Sequence, residues 1–310
     1  MENNENSAPH YSVVIGLVST EDNDRILETL DSLKNQEGSY SYEVILGDRR
    51  NDEVTKRIAL EHPEAVLISC PAETSLPELR TMALDRSSGE YVLVTEDHCV
   101  PSLNWFVTIE QAFKEAPEGT VAVGGCVENG VKDTALDWAT FLTEYSFFLN
   151  PVQEGSDNPS LPGMNVAYHK SIFESLERDL LTSGFWETTV HPELIKQGKK
   201  LYSTNNIVMY HCKKFSFGLF AKQRFIYSRY YAGLRYDSSM LLKRIIACGA
   251  TIILPPLLFY RMIKQFRSKK RSDVDYRSAI PYLFLFVFIW AWGEMYGYMF
   301  GKGDALHKIE

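Results

Sequence analysis

Five short runs rich in β-branched residues recur through the first 125 residues, and this recurrence restricts the fold more than any other feature of the chain. They are "YSVVIGLV" (Tyr11 to Val18), "YEVILG" (Tyr42 to Gly47), "AVLIS" (Ala65 to Ser69), "YVLVT" (Tyr91 to Thr95) and "VAVGG" (Val121 to Gly125). Each is short and continuously apolar, the pattern of a strand buried on both faces. Amphipathic stretches lie between them. In "NDRILETLDSLKNQ" the residues Ile26, Leu27, Leu30 and Leu33 share one helical stripe. "PELRTMALDRSSGE" reads as a second helix, with Gly89 placed to terminate it. Alternating strand and helix predicts an α/β fold with a mostly parallel sheet, whose ligands bind beyond the carboxyl ends of the strands.

One such end is chemically loaded. "EYVLVTEDHCVPS" closes its apolar run on Glu96, Asp97 and His98 before a turn at Pro101. Carboxylate oxygens and an imidazole nitrogen at a strand terminus suit a divalent cation, and hard oxygen ligands favour Mg²⁺ or Mn²⁺, which would carry a phosphate.

With 310 residues, 45% of them hydrophobic, the chain can bury one substantial core and leave about a hundred residues over. The five cysteines, Cys70, Cys99, Cys126, Cys212 and Cys248, include no C-x-x-C pair. Their scatter argues against a disulfide framework or a zinc knuckle and for a reducing compartment. The opening "MENNENSAPH" is polar and acidic, without the features of a secretory signal, and is expected to be a loose tail over residues 1–10.

The net charge of −8 is unevenly divided. Residues 215–277 carry 13 Lys/Arg against 3 Asp/Glu, and the remainder 19 against 37. A basic block beside apolar segments is a surface for anionic lipid headgroups and not for nucleic acid. Residues 279–301, "AIPYLFLFVFIWAWGEMYGYMFG", are long enough to cross a bilayer as a helix, with Trp290 and Trp292 as interface residues. The earlier run, residues 245–260, is shorter and interrupted by Pro255-Pro256, so it reads as re-entrant or interfacial, a two-helix hairpin being the rival. Basic residues on both of its flanks keep those flanks cytoplasmic, and a single span at 279–301 places the C-terminus outside.

The order of "SVVIGLVSTED", "YEVILGDRRNDEVT", "ELRTMALDRSSGEYVLVTEDHCVP" and "VAVGG" resembles the glycosyltransferase family 2 catalytic domain, a Rossmann-like GT-A fold, over roughly residues 11–212. The resemblance implies that Thr20, Glu21, Asp48, Arg80, Glu96 and Asp97 bind the nucleotide-sugar, with Asp48 on the base. Glu96 and His98 fall where the family carries the two Asp of D-x-D and would hold the metal, joined by His211 of "NIVMYHC". An imidazole in that position favours Mn²⁺ over Mg²⁺ and makes binding pH-sensitive in the imidazole range. Arg49 and Arg50 stand where the family has a further Asp.

"SGFWETTVHPELIKQGKKLY" is similar to the acceptor-side segment of the family, whose first-turn carboxylate is the catalytic base. Glu187 fits it best, with His191 and Glu193 as runners-up; without the resemblance, Glu187 is a first-turn acid favoured by the helix dipole. "FAKQRFIYSRYYAG" sets Gln223, Arg224 and Arg229 like the Q-x-x-R-W element of processive members, lacking its Trp. Its aromatics and cations suit an amphipathic helix at a membrane interface or a buried core. Glu294, inside the apolar run, is either a functional acid or near enough to the interface to be wet.

The division expected is a tail over 1–10, a catalytic domain over 11–214, a basic interface region over 215–244 and a membrane-associated segment over 245–310. The function implied is inverting, metal-dependent transfer from a nucleotide-diphospho-sugar to a lipid-linked or envelope polysaccharide acceptor, on the cytoplasmic face of a membrane. Two alternatives remain at this level: a nucleotidyltransferase-like enzyme, whose Gly-rich signature is absent from "GLVSTEDND", and a catalytically silent carbohydrate-binding scaffold of the same fold.

Overall fold

The structure is a computed structural model that describes residues 8–156, 160–236 and 239–310; most of the expected tail, residues 1–7, lies outside the described residues. The five expected strands form as β1 (Tyr11–Leu17), β2 (Tyr42–Asp48), β3 (Val66–Ser69), β4 (Tyr91–Glu96) and β6 (Thr120–Asn129). Three further strands, β5 (Cys99–Pro101), β7 (Val166–His169) and β8 (Lys200–His211), complete an eight-stranded sheet in the order β3-β2-β1-β4-β7-β6-β8-β5.

This sheet is mixed, which corrects the expectation of a mostly parallel one. β1 runs parallel to β2 and β4, and β2 to β3; β7 is antiparallel to both β4 and β6, and β5 to β8. Only Asp97 and His98 separate β4 from β5, which pairs not with β4 but with β8. The first half of β8, "KLYSTNN", is polar, and only its short end "IVMY" is continuously apolar.

Helices α1 (Arg25–Lys34), α2 (Glu53–Glu61), α3 (Leu76–Arg86) and α4 (Trp105–Glu115) follow the strands, with α5 (Ala135–Tyr145), α6 (Arg178–Thr182) and α7 (Trp186–Lys196) later. The α1 stripe Ile26, Leu27, Leu30 and Leu33 is buried as its spacing requires. α3 begins at a capping box between Ser75 and Glu78. It lies hard against the strands: a Cβ on Gly47 would sit 2.7 Å from the Leu79 carbonyl oxygen. Gly89 is not the terminator of this helix. Its N–H donates to Ser12 Oγ at 2.8 Å, and a Cβ there would meet the Ser12 backbone nitrogen at 2.8 Å, so the glycine permits close approach to β1.

The chain forms two compact units, one holding the residues up to Glu128 with Asn150–Cys212, the other Asn129–Leu149 with Lys213–Glu310. The first contains the whole sheet apart from the end of β6, over a core that includes Val14, Ile45, Val94, Val166, Tyr168 and Trp186. In the second, α5 packs with α8 (Phe217–Arg235), α9 (Leu241–Ala250), α10 (Leu254–Ser268) and α11 (Tyr276–Phe300). Trp138, Phe141 and Leu142 of α5 are buried, which explains why this segment joins the helices and not the sheet.

α8 and α11 run side by side in the same direction, as successive contacts show: Phe220 with Phe286, Phe225 with Trp292, and Gly297 under the Arg229 carbonyl. The aromatics of α8 therefore serve largely as core. α9 and α10 are bent by 61° at the break before Pro255-Pro256, which open α10. Beyond α11 the chain turns back along α8. Arg229 lies 3.9 Å from Asp304, Gln223 donates to the Lys308 carbonyl at 3.2 Å, and Lys213 Nζ is 3.6 Å from Glu310 Oε2. Residue 310 thus lies near the start of α8. Among the described residues, α11 alone is long and apolar enough to cross a bilayer as one straight helix.

Candidate active site

The site is built where β4 and β8 end. The register of β5 on β8 sets Cys99 opposite His211, which brings His211 to His98. Their Nε2 atoms are 3.1 Å apart, and His98 Nε2 is 3.4 Å from Glu96 Oε2. One ligand atom from each of Glu96, His98 and His211 lies within 4.8 Å of the others. Arg80, 1% exposed on α3, donates from Nη2 to Glu96 Oε1 at 2.9 Å and leaves Oε2 facing the imidazoles.

Asp97 points the other way. Its Oδ2 accepts from the backbone N–H of Val18 at 2.8 Å and of Ser19 at 2.9 Å, and its Oδ1 accepts from Ser19 Oγ at 2.6 Å. Oδ1 also lies 2.8 Å from His98 Nδ1. A carboxylate only accepts, so this contact puts the imidazole proton on Nδ1 and leaves Nε2 a lone pair. That lone pair faces the Glu96 oxygen, also an acceptor, and a second imidazole. Such a donor set fits a divalent cation. Asp97 therefore fixes both the β1 loop and the orientation of His98.

Thr20 and Glu21 are exposed on that loop. Asp48 ends β2 as expected, but both its oxygens serve its own turn: Oδ1 accepts from Arg50 N at 2.8 Å, and Oδ2 from Thr55 Oγ1 at 2.5 Å. Arg50, unassigned in the sequence, is buried against the site, with Nη1 donating to the Asn23 carbonyl at 3.0 Å and lying 3.8 Å from Asp97 Oδ2.

Glu187 opens α7 with a buried Oε2 that has no hydrogen-bond partner. Burial pushes its carboxyl above the usual carboxylate range, opposed by the charge of Arg80 and reinforced by that of Glu96, so the three groups sense one another. Gly163 keeps space beside it, since a Cβ there would lie 2.3 Å from Glu187 Oε2. The sequence offers only "PGMN", which reads as a turn, to signal this glycine. His191, one turn along α7, is a core residue, 1% exposed, with Nε2 at 2.6 Å from Tyr168 OH. Burial lowers its pKa to about 3. Glu193 bonds outward to Lys196 and Gln197.

Gln223 and Arg224 belong to the helical unit. Gln223 grips the returning chain through Lys308 and Glu310. Arg224 lies over the rings of Trp290 at 4.1 Å and Tyr227 at 4.4 Å, with Glu144 at 3.4 Å.

The sequence pattern of Glycosyl transferase family 2 matches residues 12–177, more than half of the chain. The chain belongs to glycosyl transferase family 2. This membership decides among the three readings of the sequence in favour of a glycosyltransferase. The structure is similar to mannosyltransferase PcManGT from Pyrobaculum calidifontis, solved with GDP-Man and Mn²⁺, with a TM-score of 0.51, 15% identity, and coverage of 91% of this chain and 73% of that one. It is similar also to GalNAc-T7, solved with UDP, GalNAc and Mn²⁺, with a TM-score of 0.50, 15% identity, and coverage of 67% and 44%. These likenesses establish the fold of this family 2 glycosyltransferase as GT-A-like. A search of curated protein sequences finds no match.

Proposed function

We propose that this glycosyltransferase moves a sugar, with inversion, from a nucleotide-diphospho-sugar to a hydroxyl of a lipid-linked or envelope polysaccharide acceptor, working on the cytoplasmic face of a membrane. The observation that carries the reading is the union of a cation-binding triad, Glu96, His98 and His211, with the buried Glu187, whose Oε2 has no hydrogen-bond partner, linked through the charge of Arg80. Mn²⁺ in the two structural neighbours supports a metal in the same role, and two imidazoles in the ligand set favour Mn²⁺ over Mg²⁺.

Glu187 takes the proton of the acceptor hydroxyl as the new bond to the anomeric carbon forms and the bond to the diphosphate breaks. Its raised pKa strengthens it as a base near neutral pH. Gly163 leaves room for the sugar beside it. Arg80 holds Glu96 toward the triad, and Asp97 orients His98 while fastening the loop that carries Thr20 and Glu21 toward the nucleotide. The metal, when bound, would offset the charge of the departing diphosphate. Asp48 would meet the base through the turn it organises. The basic residues of 215–277 support a membrane-bound acceptor through attraction to anionic headgroups.

Hydrolysis of a panel of nucleotide sugars by the purified protein, with Mn²⁺ or Mg²⁺, tests the reading. One donor should be hydrolysed faster than the rest, and with Mn²⁺ faster than with Mg²⁺. Glu187→Gln should bind nucleotide diphosphate normally and lose turnover by about 10² or more. Turnover near that of wild type would remove Glu187 from the mechanism. Calorimetry on His98→Ala should reveal weaker Mn²⁺-dependent binding of nucleotide diphosphate, and unchanged affinity would dissolve the metal assignment.

A further inference from the structure

We infer that the helical unit docks on an anionic bilayer from one side only, inserting α9 and the bend between α9 and α10 into a single leaflet, while α11 remains a helix of the unit and does not cross. This deepens the membrane attachment of the proposed function, and rests on that reading only for where the acceptor lies.

α9 is helical and buries none of its residues. Leu241, Leu242, Ile245 and Ile246 are 59–70% exposed, and Ile252 and Ile253 at the bend are 80% and 68% exposed. Six large aliphatic side chains among the nine exposed positions of residues 241–253 would be a standing liability to aggregation on a soluble surface. Cations surround them: Lys243 and Arg244 within α9, and Arg261, Lys264 and Arg267 along α10. An apolar wedge set in a basic collar matches hydrocarbon beneath anionic headgroups. A second copy of the chain would bring the same positive collar against this one, so charge selects the bilayer. Behind the wedge, a cavity of about 550 Å³ is lined by Ile246, Leu254 and Leu257, with Arg235 and Lys243 in its walls, a shape suited to one acyl chain below its headgroup. Phe284, Phe288 and Trp292 of α11, 49–61% exposed, add to the apolar surface next to α10, where Phe259 meets Phe284.

The returning chain argues against a crossing. Residues 301–310 run back along α8 to Lys213, carrying the exposed groups Lys302, Asp304 and Lys308. Were α8 and α11 to span hydrocarbon, this charged return segment, helical only over the short 3-10 turn Ala305–Lys308, would span it too, which a bilayer does not tolerate. Glu294, the acid within α11, is spent inside the unit on Arg235 at 3.0 Å and Trp290 Nε1 at 3.0 Å.

Flotation of the full chain with phosphatidylcholine vesicles, with and without phosphatidylglycerol, tests the docking. The wild type should float with the anionic vesicles, and the double variant I245E/I246E should partition about tenfold less while hydrolysing donor at the same rate. Because both positions are exposed, circular dichroism should confirm an unchanged fold, and flotation equal to wild type would overturn the inference. In sealed cells, Lys214→Cys and Lys302→Cys should react with an impermeant thiol reagent from the same side, the parent chain giving the background. Reaction from opposite sides would establish a crossing and overturn it. Normal flotation without hydrolysis of any donor would refute the transferase chemistry and leave the docking standing.

Discussion

Glu187 and His191 lie one turn apart on α7, yet burial drives them in opposite directions. The Glu187 carboxyl is raised, so the folded protein holds its proton more tightly than the unfolded chain does. The stability this contributes is complete below the ordinary carboxylate range, near 4.3, and is lost as pH rises through the raised folded value. At pH 7, above the unfolded value, the upward shift is a cost to folding. Glu187→Gln should therefore unfold at a higher urea concentration than wild type at pH 7, with the difference closing toward about pH 4. His191 has its pKa lowered to about 3, so its contribution is complete above the unfolded imidazole value near 6.5 and is lost as pH falls. Between pH 7 and pH 5 the wild type should lose about 2 kcal/mol more than His191→Gln, measured by urea denaturation. In the sequence Glu187 stands out only through the family resemblance of its segment, since a first-turn acid is otherwise ordinary. That His191 belongs to the core is not legible there, because its partner Tyr168 comes from β7, a strand of four residues with no periodic signature. Asp97, grouped with the nucleotide-binding residues in the sequence, spends its carboxylate on the β1 loop and His98, and only the fold reveals which way a middle residue of E-D-H points.

Among the elements, α1 can be read directly because its burial follows one helical stripe, and β1 because it is apolar and buried throughout; α3, buried on nearly every side, is marked instead by its capping box. β5 and β8 escape for the opposite reason: one has three residues and the other alternates irregularly between buried and exposed. The pairing of α8 with α11 escapes too, since its determinant is the small side chains of Gly293 and Gly297 within an otherwise bulky apolar run. A Cβ on Gly297 would stand 2.4 Å from the Arg229 carbonyl oxygen, and one on Gly293 2.5 Å from that of Phe225. Neither carbonyl can move without parting the helices. Gly297→Ala should destabilise the helical unit by about 1–3 kcal/mol, read from thermal unfolding in detergent, whereas Gly249→Ala, where a Cβ meets nothing, should be close to neutral.

Across the whole molecule, the division between sheet and helices follows the change from acidic to basic composition near residue 215, and this much is plain in the sequence. The capture of 129–149 by the helical unit is not, because it depends on which apolar surface α5 meets after the chain has left β6. The return of residues 301–310 along α8 is hidden as well, since "GKGDALHKIE" is polar enough to pass for a solvated end. Lys213 and Glu310 face each other with side chains almost wholly buried, at 0% and 7% exposure. Removing one charge strands the other, and Lys213→Met should cost about 3–5 kcal/mol by chemical denaturation.

The junction of β5 with β8 has a consequence for the order in which the protein assembles. His98 and His211 are 113 residues apart in the chain, and they meet only through this last pairing at the edge of the sheet. Loop closure over that distance is slower than over the 31 residues that separate Tyr11 of β1 from its partner Tyr42 in β2. The triad is therefore a clasp that the folding chain fastens late and an unfolded chain lacks. A cation held there would act on the entire transition, adding about 2.7 kcal/mol at a hundred times its dissociation constant. Titration with Mn²⁺ should raise the melting temperature of the sheet unit as a whole, His211→Ala should abolish the rise, and amides of β5 and β8 should be the first to exchange when the metal is withdrawn.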